Sequence, residues 1–273
     1  MSRRMQDIFN RNSNLEIHIQ PFYNISKQDI VGAEALIRGT NGNNGESAHQ
    51  ILQTLKSENR LVEFDLYMIK KLSDSISRLN SKSSFNEGGV DLEDSASALN
   101  MVSLNINITP ETIATTGISH EIVDIIDTYG VKNNIVLELH EDTGFSNPEV
   151  SRNISNLITN GVSLSLDDFN VMNENINTLA RYNVKEVKIR EINTKGFSVK
   201  QEIIYSQLRK MLTKLNLNIV FEGIETPYQC GMVNNMGFDT IQGYLVSKPI
   251  PLSKYTYGAV RNLIAAAPQA NRV

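Results

Sequence analysis

Over the last two-thirds of the chain the hydrophobic period switches back and forth between two and 3.6, and this rhythm constrains the fold more than any other feature. Apolar runs at residues 101–108, 135–139, 162–166, 184–189, 218–221 and 240–241 read as strands. Stretches with helical spacing lie between them, at 110–129, 148–160, 175–182, 200–215 and 228–235. Strands alternating with helices over about 170 residues imply a parallel sheet covered by helices. Upstream, residues 15–20 alternate apolar and polar, and Pro21 is expected to close that strand. Residues 30–37 form a second strand-like run, and helices are expected from residue 48 and over 62–79. Seven or eight such units in 273 residues favour a closed α/β barrel of the (β/α)8 TIM type, with a doubly wound open sheet as the alternative. No Gly-rich dinucleotide or phosphate loop follows any strand.

The expected organisation is a polar N-terminal extension over 1–14, a barrel domain over 15–258 and a tail over 259–273. Residues 80–100 are rich in Ser and acid with paired glycines, and are expected to be a mobile surface insertion. A 40% apolar content excludes a disordered chain. A single cysteine, Cys230, excludes a disulfide scaffold and a cysteine metal cluster. The balance of 26 Lys and Arg against 30 Asp and Glu argues against sequence-blind binding to DNA. No stretch approaches the roughly 20 apolar residues of a membrane span, and no secretory signal is visible. The expectation is a soluble, cytoplasmic protein with no membrane partner. The four histidines show no metal-ligand spacing, and His140 reads as a polar residue lining the barrel.

In a barrel of this kind the site forms at the C-terminal ends of the strands. Those ends carry Glu34, Asn105, Glu138 with Glu141, Asp167 with Asp168, Lys188, Glu222 with Glu225, and Gln242. Each like-charged pair at a few ångströms costs roughly 1–4 kcal/mol, so such a ring needs counter-charge. Mg²⁺ and Mn²⁺ prefer carboxylate and amide oxygens, and two ions about 4 Å apart can clamp a phosphodiester. The adjacent Asp167 and Asp168 suit a pair of ions, with Lys188 beside the phosphate or the attacking water.

These residues match a family pattern. Glu34-Ala35-Leu36 carries the signature of the EAL domain, and the chain resembles the EAL phosphodiesterases of bacterial cyclic di-GMP signalling. Gln20-Pro21, Leu104-Asn105-Ile106-Asn107, Glu138-Leu139-His140-Glu141, Asp167-Asp168-Phe169, Lys188-Ile189, Glu222-Gly223-Ile224-Glu225-Thr226 and Gln242-Gly243-Tyr244 continue the resemblance in order over residues 15–255. The resemblance implies a (β/α)8-type barrel with one reversed strand. It also implies a Mg²⁺- or Mn²⁺-dependent hydrolase that opens cyclic di-GMP to linear pGpG. Glu34, Asn105, Glu138 and Asp167 would hold metal and Asp168 the second ion, while Lys188 and Glu222 would position or deprotonate water. Gln20, Arg38 and Gln242 would serve the substrate side of the site, Arg38 through phosphate. Glu141 would anchor the loop after Asp168, and Glu225 would support the site from behind.

Three departures stand out. The loop after Asp168-Phe169 reads Asn-Val-Met-Asn-Glu-Asn over 170–175 and lacks the family's glycines. Arg190 stands where the family has an acid after Lys-Ile, and Gly39 stands where an aromatic residue usually follows Arg38. The resemblance also implies a homodimer through the region after the Asp-Asp pair. The sequence shows no cyclase motif, receiver domain or membrane span, so regulation is expected through expression, self-association or a protein partner. The alternative reading is a catalytically weak or inactive EAL domain acting as a nucleotide sensor or a protein-interaction module.

Overall fold

The computed structural model describes residues 15–39, 48–83, 103–140, 142–169, 175–190, 197–255 and 262–263. Two strands come first, β1 (Leu15–Asn24) and β2 (Asp29–Gly39), then helices α1 (Ala48–Ser57) and α2 (Leu61–Ser83). The alternating part follows as β3 (Ser103–Ile108), α3 (Pro110–Ile113), α4 (Ile118–Tyr129), β4 (Ile135–Leu139), α5 (Pro148–Thr159), β5 (Ser163–Leu166) and α6 (Asn175–Arg181). It continues as β6 (Glu186–Ile189), α7 (Val199–Lys214), β7 (Asn218–Phe221), α8 (Pro227–Asn235), β8 (Thr240–Ile241) and a short β9 (Ile250–Pro251).

Strands β2 to β8 pair in sequence and run parallel. Strand β1 runs antiparallel to both β2 and β8, and so closes the ring. The fold is an eight-stranded α/β barrel with β1 reversed, which sets the open-sheet alternative aside.

Parallel strands covered on both faces usually read as continuous apolar runs. Here the alternation survives. Strand β3 reads Ser-Leu-Asn-Ile-Asn-Ile and β6 reads Glu-Val-Lys-Ile. Leu104, Ile106, Leu164, Leu166, Val187 and Ile189 lie in the hydrophobic core with the buried faces of the helices. The alternate positions Asn105, Ser165, Glu186 and Lys188 are buried too, on the inner face. The core therefore sits between strands and helices, and the barrel interior is polar. Local signals support the outer layer. Asn147 caps α5 ahead of Pro148, and Val150, Ile154 and Leu157 bury one face of that helix. Capping boxes start α7 at Ser198 and α8 at Thr226.

Some boundaries differ from expectation. Strand β1 runs on through Pro21 to Asn24. One edge of β1 pairs with β2, and the other pairs with β9 at His18 and Ile19 and with β8 at Tyr23 and Asn24. Pro21 falls in the gap between those two short pairings, where a missing N–H costs no ladder bond. Glu34 was expected at a strand end, yet it lies mid-strand, because β2 extends to Gly39 to pair with the whole of β1. The expected insertion begins later, since residues 80–83 belong to α2. Residues 84–100, the 1–14 extension and most of the tail lie outside the described residues.

One buried acid ties two layers together. Asp65 of α2 is 3% exposed, and its Oδ2 accepts from the Thr109 N–H at 2.8 Å, the Thr109 hydroxyl at 2.7 Å and the Thr112 hydroxyl at 2.6 Å. Burial pushes its carboxyl up from 3.8 to about 6 despite these donors. The folded state thus holds the proton more tightly than the unfolded chain, and the contribution of Asp65 to stability falls as pH rises from about 4 to 6. Asp65→Ala is expected to lower the unfolding free energy by about 2–3 kcal/mol, through the donors left unsatisfied. Asp65→Asn is expected to lose part of the wild type's decline in stability between pH 4 and 7. Denaturant unfolding at both pH values checks this.

Candidate active site

Period-2 alternation puts Glu186 and Lys188 of β6 on the inner face of the barrel. The Lys188 side chain is fully buried. Its Nζ lies 2.5 Å from Glu222 Oε1, 2.6 Å from Glu138 Oε1, 3.1 Å from Glu34 Oε2 and 3.9 Å from Asp167 Oδ1. Burial alone would favour the neutral amine, but the surrounding carboxylates outweigh it and hold the ammonium well above its ordinary range. Phe22 of β1 places its ring 5.7 Å from the same nitrogen.

The carboxylates around Lys188 are not equivalent. Glu34 accepts from Gln242 at 2.8 Å and Asn107 at 2.7 Å as well as from Lys188, and these donors overcome burial and lower its pKa. Glu138 accepts from Asn105 at 3.2 Å. Burial, then repulsion from Glu34, Asp167 and Glu222, raises it well above the usual carboxylate range although Lys188 opposes this. Glu222 is raised, first by burial. Deeper in the barrel, Glu186 accepts from Asn105 at 2.6 Å and Ser165 at 3.2 Å, and burial raises it too.

Backbone bonds carry the site past the strand ends. The N–H groups of Asp167, Glu222 and Gln242 donate to Leu139, Ile189 and Phe221 of the preceding strands, each at 2.9 Å. Gly243 then passes so close to Ile224 that a Cβ there would meet the Ile224 carbonyl oxygen at 2.0 Å. Only glycine lets the Gln242 and Glu222 loops approach this closely. Asp168 adopts φ 49°, a left-handed conformation that an aspartate tolerates, and its N–H donates to Asp167 Oδ1 at 2.8 Å. At the rim, Arg190 Nε lies 3.3 Å from Asp168 Oδ1 and donates to Glu222 Oε2 at 3.0 Å. His140 Nε2 lies 3.2 Å from Asp168 Oδ2, so this residue sits at the half-exposed rim and not in the lining.

Of the residues singled out in the sequence, Glu34, Asn105, Glu138, Asp167, Lys188, Glu222 and Gln242 converge on one centre, with Asp168 beside it. Gln20 donates to the Ser247 carbonyl at 3.1 Å and accepts from Gln242 at 3.2 Å, which puts it behind Gln242. Arg38 shares the Glu34 face of β2 but stands four residues further along, about 13 Å by strand rise. Glu225 is exposed, and its N–H donates to Gln229 Oε1 at 2.8 Å. Glu141 and residues 170–174 lie outside the described residues. Sequence reasoning missed Glu186 and Asn107. Both are two positions from a motif residue on the same strand, so period-2 spacing from Lys188 and Asn105 would have found them.

Six carboxylates (Glu34, Glu138, Asp167, Asp168, Glu186 and Glu222) thus cluster with two cations, Lys188 and Arg190. Two triads, Glu34–Glu138–Glu222 and Asp167–Asp168–Glu222, each hold candidate ligand oxygens within 4.8 Å of one another. Asn105 directs its Nδ2 at Glu138 and Glu186, and its Oδ1 is buried and accepts no hydrogen bond. An excess of buried negative charge beside an unengaged amide oxygen fits a hard divalent cation.

The class defined here is an α/β barrel with a carboxylate-rich centre at the C-terminal strand ends. The EAL domain family matches residues 2–249, and the chain belongs to it. "Probable cyclic di-GMP phosphodiesterase PdeA" of Escherichia coli K12 is 28% identical over 153 residues, 55% of this chain and 21% of that protein. "Signaling protein YkoW" of Bacillus subtilis 168 is 23% identical over 249 residues, 89% of this chain and 29% of that protein. The chain therefore spans less than a third of either relative. The PaMucR phosphodiesterase in complex with c-di-GMP superposes with a TM-score of 0.74 at 20% identity, covering 92% of this chain and 99% of that one. The manganese and cyclic di-GMP complex of Klebsiella pneumoniae BlrP1 gives 0.68 at 19%, covering 88% and 56%. At these identities the structural likeness speaks for the fold.

The central lysine yields a direct test. In chelator, Lys188→Met is expected to lower the unfolding free energy by about 3–5 kcal/mol, because it strands buried carboxylates. The loss should shrink from pH 8 to pH 5, as the carboxylates with raised pKa take up protons, and should shrink again when Mn²⁺ is added. Denaturant titrations under the three conditions measure it.

Proposed function

We propose that this chain is a divalent-metal-dependent phosphodiesterase that hydrolyses cyclic di-GMP to linear pGpG. The observation that carries the reading is the buried carboxylate–amide cluster around Lys188, in a chain whose family includes relatives named as cyclic di-GMP phosphodiesterases. Glu34, Asn105, Glu138 and Asp167 would hold the cation, to which Asn105 brings its unengaged Oδ1. When bound, Mg²⁺ or Mn²⁺ supplies Lewis-acid charge at a phosphodiester oxygen and acidifies water.

The chain's own groups divide the remaining work. Glu222, raised by burial, is a base suited to take a proton from the attacking water. That water's oxygen bonds to phosphorus, the bond from phosphorus to the 3′ oxygen breaks, and a proton returns to the leaving oxygen. Lys188 holds Glu222, Glu138 and Glu34 in register and offsets charge as it builds on the phosphate. Gln242 orients Glu34 and Gln20 orients Gln242, so both act through the ligand set. Arg38, further along the Glu34 face, is placed to meet a more distant phosphate with its planar fork.

A second reading, nucleotide binding with slow turnover, is favoured by one observation: a fixed cation, Arg190, rests on Asp168 and Glu222.

Incubation of the purified chain with cyclic di-GMP and Mn²⁺ or Mg²⁺, followed by chromatography, is expected to yield pGpG. Chelation should abolish it, and Glu34→Ala and Asp167→Ala should each lower the rate by at least about 10²-fold. Absence of product at high enzyme concentration would overturn the hydrolase, and calorimetry with the nucleotide would then decide for or against a sensor.

A further inference from the structure

The two triads share Glu222 but differ in their counter-charge. In the inner triad, Glu34, Glu138 and Glu222, with Asp167 nearby, surround a single ammonium, and the Asn105 oxygen is unengaged. In the outer triad two of the carboxylates share a guanidinium, a cation that keeps its proton. Asp168 Oδ1 faces Arg190 Nε at 3.3 Å and its Oδ2 faces His140 Nε2 at 3.2 Å. Glu222 Oε2 accepts from Arg190 Nε at 3.0 Å, while its Oε1 lies 2.5 Å from Lys188. Asp167 Oδ1 accepts the N–H of Asp168.

We propose that Arg190 is a built-in cation standing where a second divalent ion would bind, so that the chain takes one ion, at the inner set, and not two. The inference rests on the metal-dependent reading above and corrects its expected stoichiometry. A dication shared by Asp168 and Glu222 would stand beside two carboxylates that the Arg190 Nε–H already bridges, and would meet the repulsion of that charge. Guanidinium cannot relieve the conflict by losing a proton, as a lysine or histidine can. The side chain is 60% exposed and the carboxylates it bridges are 29% and 4% exposed, so its charge is anchored at the mouth with its head toward solvent. There it neutralises Asp168 and Glu222 as an ion would, but it offers no open coordination position for water. Arg190 thus acts as a positioning residue for Glu222 and a specificity residue for metal number.

The test counts ions without relying on turnover. The metal-free 273-residue chain is dialysed to equilibrium against Mn²⁺, bound metal is measured by atomic absorption, and the electron paramagnetic resonance spectrum is recorded. The wild type is expected to bind one Mn²⁺ per chain and give the six-line spectrum of an isolated ion. Arg190→Ala and the longer neutral Arg190→Gln are expected to bind two and show spin coupling between neighbouring ions. Circular dichroism confirms that at least one of them folds. Two ions in the wild type would overturn this proposal alone, as would a single ion in a folded neutral variant. No bound ion in any of the proteins would overturn the metal-dependent reading, and this inference with it.

Discussion

A single ammonium, Lys188 Nζ, sits fully buried within 4 Å of four carboxylates, and the centre of the barrel is organised by that charge. Taking a lysine out of water is costly unless its charge is matched, and taking acids out of water is costly for the same reason. Here each requirement answers the other. The four acids come from β2, from β4 and from the turns after β5 and β7, so the ammonium on β6 links elements spread around most of the ring. The match is incomplete, because acids outnumber cations. Burial first, and for Glu138 and Glu222 repulsion from neighbouring acids as well, raises the pKa of Glu138, Glu186 and Glu222, and the centre is suited to receive further positive charge.

A polar interior of this kind is possible only because the apolar work is done elsewhere. The outward faces of the strands and the inward faces of the helices form one continuous core. Burial at about 25 cal/mol per Å² acts there, outside the ring. The inner face is thereby released from packing duty and can hold Asn105, Ser165, Glu186 and Lys188, each bonded to a partner from another strand, with only the Asn105 Oδ1 of these side chains left unengaged. Function and stability are spatially divided by the two faces of the same strands.

Much of this was legible in the chain. The alternation of periods announces the βα units, and the motifs at Glu34, Asn105, Glu138, Asp167, Lys188, Glu222 and Gln242 mark residues that the barrel does bring together. What was not legible depends on partners distant in sequence. Pro21 reads locally as a strand breaker, but β8 and β9 leave it a gap on the edge of β1. Glu186 falls inside the expected strand 184–189 with no motif to mark it, yet Asn105, 81 positions away, gives it a buried donor. Arg190 reads as one basic residue replacing an acid, and only the fold shows it resting on Asp168 and Glu222 at once.

The sequence by itself determined the family, the α/β class, the order of the elements and the chemical types gathered at the site, because those follow from local periodicity and from short motifs. Tertiary structure alone decided that β1 is the reversed strand and closes the ring between β2 and β8, the pairing of each acid with its donor, and the split between an inner set around Lys188 and an outer set bridged by Arg190. The reason is physical. Periodicity is a property of neighbours along the chain, whereas the state of a charge is set by whatever lies within a few ångströms of it, and in a closed barrel those groups come from the whole length of the domain.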